Sequence, residues 1–496
     1  MKNYILVIDE GTTGTRALIF DRQFNIVANS YTEFTQYTPA ENMVEHDAEE
    51  IYEKSVVMCK SAMEKANIIP EEIAAIGITN QRATYTFWDK NTGKPIHRAV
   101  VWQDNRVADI VDDLRANNTA LFNDIVEHCG KAVVSFTAVP VTYWLCQNVP
   151  GFKERLDSGD VLIGTIDTWL VWKLTEGRVH AIASSNASAT GCYDIVKHEW
   201  YQPFFEAYGL SSACYPVVKN EADDYGYTTV LGGSIPIRGV IADQQSALYA
   251  QGCHTPGTVK CTNGTGTFLD INIGHVFKSA PGGLDGGIAW TLDGQTTYLY
   301  EGLQGVTGSA IQWLRDGLQI IETSPESEAI ARSVPDTNGV YFVTALTGTN
   351  MPVYDPYARG LIAGISRGTT RAHIVRATLE SIALGLADIM EAVHANSGIK
   401  IQEIKIDGGA SKNNLLAQMM ADYINATIYR PASVEATSLG AAQMAMLGAG
   451  LAEEKDFENA LVLDRVFKPE ITPEQRANTL MMWHRATKRA HRWLLE

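Results

Sequence analysis

Ile5-Leu6-Val7-Ile8-Asp9-Glu10-Gly11-Thr12-Thr13-Gly14-Thr15-Arg16-Ala17-Leu18-Ile19-Phe20 is the stretch whose reading sets the fold. Four consecutive apolar residues make a buried-strand run that stops at Asp9. Gly11 and Gly14 suit a tight hairpin, and Arg16 to Phe20 reads as the returning strand. About 250 residues later, Cys261-Thr262-Asn263-Gly264-Thr265-Gly266-Thr267-Phe268-Leu269-Asp270-Ile271 repeats the glycine–threonine turn beside apolar strand residues. Two such turns predict two related domains. Between them, Tyr52, Val56, Cys59, Met63 and Ala66 recur at helical steps, which predicts an amphipathic helix over 49–66. Ile73 to Ile78 is a further strand, ending in Thr79-Asn80-Gln81-Arg82. Strands and helices keep alternating, so an α/β fold is expected. Thr472-Pro473-Glu474-Gln475 is a capping box that opens a long terminal helix.

The chain has 496 residues, 45% hydrophobic and 20% charged, enough for two or three domains with a sizeable core. Its 40 basic and 57 acidic residues give a net charge of −17. Such a surface repels phosphate backbones and anionic lipid, which speaks against nucleic-acid and membrane roles. Seven irregularly spaced cysteines with no CxxC pair argue for a reducing compartment. The first apolar run is too short for a signal peptide, and no stretch is long enough to span a bilayer. A soluble cytoplasmic protein is expected. The eleven histidines show no ligand spacing, and His484 and His491 read as ordinary helix residues. Trp169 and Trp172 read as core. Gly282-Gly283 with Gly286-Gly287 reads as a flexible loop.

A Walker A loop and a strand-anchored GxGxxG are both absent. Asp9 with Gly11-Thr12-Thr13 offers another phosphate site, in which N–H groups and hydroxyls cradle oxygens and the carboxylate holds a hydrated Mg²⁺. A plain hairpin with a solvated aspartate is the alternative. In Ile241-Ala242-Asp243-Gln244-Gln245, an apolar run ends at a carboxylate that opens a helix. Asp243 is a candidate general base for a substrate hydroxyl, or an ordinary N-cap. In Asp407-Gly408-Gly409-Ala410-Ser411-Lys412-Asn413, glycines let a flat ring approach the backbone and Asn413 can hydrogen-bond it. A helix-capping loop is the alternative. The helix after that loop carries Leu416, Met419, Met420 and Tyr423 on one face.

These segments, with Trp102-Gln103-Asp104, occur in the order found in the FGGY carbohydrate kinases, which the chain resembles over nearly its whole length. Gly360 to Ile365, followed by His373 to Glu380, is similar to that family's C-terminal signature. Within the family the likeness is greatest to members that phosphorylate glycerol, through Val44-Glu45-His46-Asp47, Ile311 to Asp316 and Tyr354 to Gly360. The resemblance implies two actin-like, ribonuclease H-like ATPase domains with the active-site cleft between them. They are expected at 1–249, binding polyol and phosphate, and at 250–496, binding nucleotide. It implies ATP-dependent phosphorylation of a terminal hydroxyl of a small polyol, foremost glycerol, with Asp243 as base. Asp9 and Asp243 would hold Mg²⁺, partly through water. Thr12, Thr13, Gly14, Arg16, Gly264, Thr265, Gly308, Gln312, Gly409 and Asn413 would contact ATP. Arg82, Ala83, Trp102, Phe136, Asp243, Gln244 and Phe268 would line the substrate pocket. A homodimer or homotetramer is implied.

Two pocket positions depart from the resemblance. The glycerol-phosphorylating members carry Glu directly after the arginine of the TNQR segment, where this chain has Ala83, and a pocket tyrosine where it has Phe136. These changes suggest a longer polyol or ketose of four or five carbons as the alternative substrate. A non-catalytic actin-like ATP-binding protein is a remoter alternative. In the loop Leu231 to Pro236, Ser234 replaces the arginine through which some relatives bind fructose 1,6-bisphosphate, so inhibition by that effector is expected to be weak or absent.

Overall fold

In the computed structural model, the opening apolar run is β1 (Tyr4–Glu10), paired antiparallel with β2 (Gly14–Phe20), which pairs antiparallel with β3 (Ile26–Glu33). The structure describes residues 3–281, 283–349, 351–432, 435–457 and 461–495. On its other side β1 runs parallel to β4 (Ile73–Asn80), and β4 parallel to β5 (Ile235–Ala242). The core strand order is therefore β3-β2-β1-β4-β5. Ile5 to Ile8 and the whole of β4 are buried, as expected of parallel strands covered on both faces.

The chain forms two compact units. Unit 1 is Met1–Gly252 together with Gly286–Tyr298 and Glu435–Leu461; unit 2 is Cys253–Asp285, Leu299–Val434 and Val462–Glu496. Against the expected halves 1–249 and 250–496, two later segments fold into unit 1. One supplies the helix Ala436–Gly448, whose small residues let it lie backbone-close on the sheet. A Cβ on Gly77 of β4 would overlap the carbonyl of Ala441, and one on Gly239 of β5 would overlap the amide of Ala445. The other, Asp285–Leu292, is a strand, so Gly286 and Gly287 are extended chain and not the loop expected. Gly282 lies outside the described residues.

The first helix, Ala48–Ala66, is capped by Asp47, whose Oδ1 accepts from the N–H groups of Glu49 and Glu50. Its buried stripe runs through Ile51, Ser55, Cys59, Ala62 and Met63. Tyr52, Val56 and Ala66 are only partly buried against the same core. The stripe is displaced from the one expected because Ser55 turns inward to hydrogen-bond Glu10. Trp169 is fully buried, next to Trp88.

Unit 2 repeats the pattern. β6 (Thr258–Asn263) pairs antiparallel with β7 (Thr267–Gly274), β7 neighbours β8 (Gln295–Gln304, which belongs to unit 2 from Leu299 onward), and β6 runs parallel to β9 (Glu403–Asp407), itself parallel to β10 (Thr427–Pro431). The order β8-β7-β6-β9-β10 matches that of unit 1 strand for strand. The terminal helix Pro473–Ala490 begins at the expected Thr472–Gln475 capping box. All seven cysteines are free thiols. Among the described residues, no helix is long and apolar enough to cross a membrane.

Candidate functional site

Three parallel strands of unit 1 end at one edge of the sheet. Asp9 of β1 lies opposite Thr79 of β4, and Ala242 of β5 opposite Asn80. The segments leaving the three strands therefore gather there, as ligand sites in open α/β sheets do. After β4 the chain turns through Gln81 to Thr84, pinned by Gln81 N–H to the Glu10 carbonyl (2.7 Å) and by Gln81 Nε2 to the Gly11 carbonyl (2.9 Å). After β5, Asp243 is the first residue of the helix Asp243–Ala250, and Ala242 is its N-cap. The carboxylate stays partly exposed, accepts from the Gln244 N–H at 2.7 Å, and sits at the positive end of the helix. Arg82 Nε lies 3.3 Å from Asp243 Oδ1.

Ala83 adopts a left-handed backbone (φ 54°) while buried to 4% exposure, a conformation a non-glycine residue holds at some cost. Phe136 packs against the hydrophobic cluster that contains Ala83, and its carbonyl accepts from the Tyr85 hydroxyl. Trp102 is 37% exposed and donates from Nε1 to Thr12 Oγ1 at 3.0 Å, which joins the expected substrate wall to the expected phosphate turn.

Asp9 is partly buried, and desolvation raises its pKa despite a hydrogen bond from Ser438 Oγ and the nearby Arg16. Arg16 pairs with Glu435. A partly buried carboxylate whose charge is penalised by desolvation, at the same strand-end edge as Asp243, fits a divalent cation. Behind it, burial pushes Glu10 up to about 8. Thr15 and Ser55 hydroxyls donate to Glu10 Oε1, and Oε2 has no partner. Ser438 and Glu435 were absent from the sequence expectations, since they reach Asp9 and Arg16 from more than 400 residues away. The small-residue run Ala436 to Ala445 was the available signal, because such a helix can approach a sheet closely.

In unit 2, Gly264, Thr265, Gly308, Gln312, Gly409 and Asn413 all line one cavity of about 340 Å³. These are the six positions expected there to contact nucleotide. The β6–β7 turn forms one wall, closed by Gly264 N–H to the Gly266 carbonyl (2.9 Å), and Ser309 N–H reaches the Thr265 carbonyl (3.0 Å). A Cβ on Gly308 would collide with the Gly264 carbonyl, so only glycine fits. Asn413 is the N-cap of the helix Asn414–Ile424, and its Oδ1 accepts from Leu416 N–H at 3.0 Å. The Asn413 side chain, expected either to hydrogen-bond a ligand ring or to cap the helix, is engaged in capping through its oxygen. Leu416, Met419 and Met420 are buried on that helix as expected. Phe268, on β7 of unit 2, is 39% exposed.

Residues 4–250 match the N-terminal domain of the FGGY family of carbohydrate kinases, and residues 259–449 its C-terminal domain. The chain belongs to the FGGY family of carbohydrate kinases. It is an ATP-dependent kinase acting on an alcohol group. It is 44% identical over the full length of both chains to a glycerol kinase of Caldanaerobacter subterraneus subsp. tengcongensis. A crystal structure of Plasmodium falciparum glycerol kinase with ADP superimposes with a TM-score of 0.94 at 32% identity, covering 99% of this chain and 98% of that one. A ligand-bound xylulose kinase from Lactobacillus acidophilus (TM-score 0.84, 20% identity, covering 98% and 97%) shares the FGGY fold.

Proposed function

We propose that this FGGY kinase transfers the γ-phosphoryl group of ATP to a terminal hydroxyl of glycerol, giving glycerol 3-phosphate. The observation that carries the reading is the Arg82–Asp243 pair at the strand-end edge of unit 1, in a chain alike over its full length to glycerol kinases. Asp243 accepts the proton of the attacking hydroxyl. The Arg82 fork binds hydroxyl oxygens and holds Asp243 in place. Gln244, Trp102, Phe136 and Phe268 are the residues that would border the polyol. Thr12, Thr13, Gly14 and Arg16 receive phosphate oxygens, and Gly264, Thr265, Gly308, Gln312, Gly409 and Asn413 position the nucleotide. Asp9 and Asp243 would hold Mg²⁺, which neutralises charge on the transferred phosphoryl group. Seven free thiols suit a cytoplasmic setting, and a homodimer or homotetramer belongs to the same proposal.

Ala83 favours a second reading. A methyl group where glycerol-phosphorylating relatives carry a carboxylate removes a charged hydrogen bond and a longer side chain, the direction of change that a polyol or ketose of four or five carbons requires. An ATP-consumption panel of C3 to C5 polyols and ketoses separates the two: a glycerol kcat/KM well above every competitor supports the first, and a C4–C5 preference the second. Absence of substrate-dependent turnover across the panel would leave the non-catalytic actin-like reading.

A further inference from the structure

Unit 2 carries a second cavity, of about 410 Å³, which shares no lining residue with the nucleotide pocket. Two helices flank it: the long helix Arg371–Ser397, which contributes Asp388 and Glu391, and the terminal helix Pro473–Ala490, which contributes Trp483 and His484. Asp388 and Glu391, three residues apart, share a helix face. One ligand atom from each of Asp388, Glu391 and His484 lies within 4.8 Å of the other two. His484 was expected to be an ordinary helix residue, because linear spacing cannot show a group assembled from two helices about 95 residues apart.

Each member is already oriented. His484 Nε2 is 2.6 Å from Asp388 Oδ1, and Trp483 Nε1 donates to Asp388 Oδ2 at 2.7 Å. Arg476 donates from Nη2 to one oxygen of Glu391 at 2.9 Å. Trp483 and Arg476, outside the group, thus fix Asp388 and Glu391 as such bonds fix metal ligands, while His484 is held by Asp388 itself and would exchange that contact for the metal.

A second observation points to a ligand in this cavity. Gln304 lines it, and its Oε1 is buried without a hydrogen-bond partner. The amide of Gln304 packs where a Cβ on Gly385 would fall, about one helical turn from Asp388. A buried acceptor of this kind calls for a donor, and a metal-bound water is one.

We propose that Asp388, Glu391 and His484 bind a divalent transition-metal ion, with the remaining coordination positions open to the cavity. One imidazole nitrogen with carboxylate oxygens suits zinc, cobalt or manganese, whereas Mg²⁺ favours an all-oxygen, largely hydrated shell. The site is separate from the Mg²⁺ position proposed at Asp9 and Asp243, and it stands whichever polyol the enzyme uses.

The test uses the full chain, stripped with a chelator and exchanged into buffer containing millimolar Mg²⁺. Co²⁺ alone is titrated and followed by calorimetry and by its visible absorption. Saturable uptake of one Co²⁺ per chain, displaced by Zn²⁺ and unaffected by Mg²⁺, is expected. His484→Gln and Glu391→Gln should each weaken uptake by at least about tenfold, and His394→Gln, elsewhere on the long helix, should not. Thermal melts establish that the variants fold. If His484→Gln loses its cooperative melt, the near-isosteric Glu391→Gln carries the comparison. Absence of uptake over Mg²⁺, or undiminished uptake by the folded variants, overturns the proposal.

Discussion

Arg82 Nε lies 3.3 Å from Asp243 Oδ1, so the cation proposed to bind substrate also restrains the proposed base. Asp243→Asn keeps the shape and removes the proton acceptor. Turnover should fall by about 10²–10⁴-fold, the usual range for a general base. ATP affinity measured by calorimetry should change little, because the cavity proposed to hold nucleotide is lined by unit 2 residues. Substrate-dependent ADP release near the wild-type rate would falsify the assignment.

Ala83→Glu restores the carboxylate of glycerol-phosphorylating relatives at a backbone already left-handed, and since the position is 4% exposed within a hydrophobic cluster, the gain depends on the carboxylate reaching a substrate hydroxyl. A charged hydrogen bond contributes roughly 1.5–3 kcal/mol, so kcat/KM for glycerol should rise about 10- to 100-fold. The same variant should lower kcat/KM for C4 and C5 polyols. An unchanged ratio between glycerol and the longer polyols would show that Ala83 does not border the substrate.

Gly308→Ala places a methyl group against the Gly264 carbonyl. Overpacking of this kind costs about 1–3 kcal/mol. It should register mainly as a weaker ATP Kd, because both residues line the cavity proposed to hold nucleotide. Calorimetry with an affinity equal to wild type would place ATP elsewhere.

Glu10 supplies a pH dependence. Its folded-state pKa, about 8, lies above its ordinary 4.5 because of burial. The folded state therefore holds a proton that the unfolded chain releases. This favourable difference is full below about 4.5 and is lost as pH rises towards about 8. Glu10→Gln, which cannot ionise, should flatten the fall in Tm between pH 5 and pH 8. Parallel Tm curves for wild type and variant would show that Glu10 is already charged in the folded protein.

The glycine–threonine turns were legible because a short apolar run, a turn residue and a returning run are local signals. Asp9 and Asp243 were legible as candidates because each stands where a strand ends or a helix begins, whereas Gly308 and Gln312 came only from the family resemblance, which no local pattern around them supplies. The face of the first helix was misjudged by one position, because Ser55 is drawn inward by a buried acid that periodicity does not register. Ser438 and Glu435 were not legible, since no local pattern says which distant strand a small-residue helix will cover. His484 was missed for the same reason: its partner is on another helix. Gly286 and Gly287 were read as a loop because paired glycines usually interrupt strands, whereas here they are extended within Asp285–Leu292.

The helix Ala436–Gly448 has a bearing on biosynthesis. A ribosome working from the N-terminus makes β1 to β5 by residue 242, yet the helix that covers Gly77 and Gly239 emerges nearly 200 residues later. Until then one face of the first sheet has no permanent cover, and Asp9 lacks Ser438. The first unit to be synthesised is therefore not the first to be finished. A nascent chain arrested near residue 430 would expose apolar sheet and bind chaperones, whereas one released past residue 450 could close unit 1 with a segment of its own.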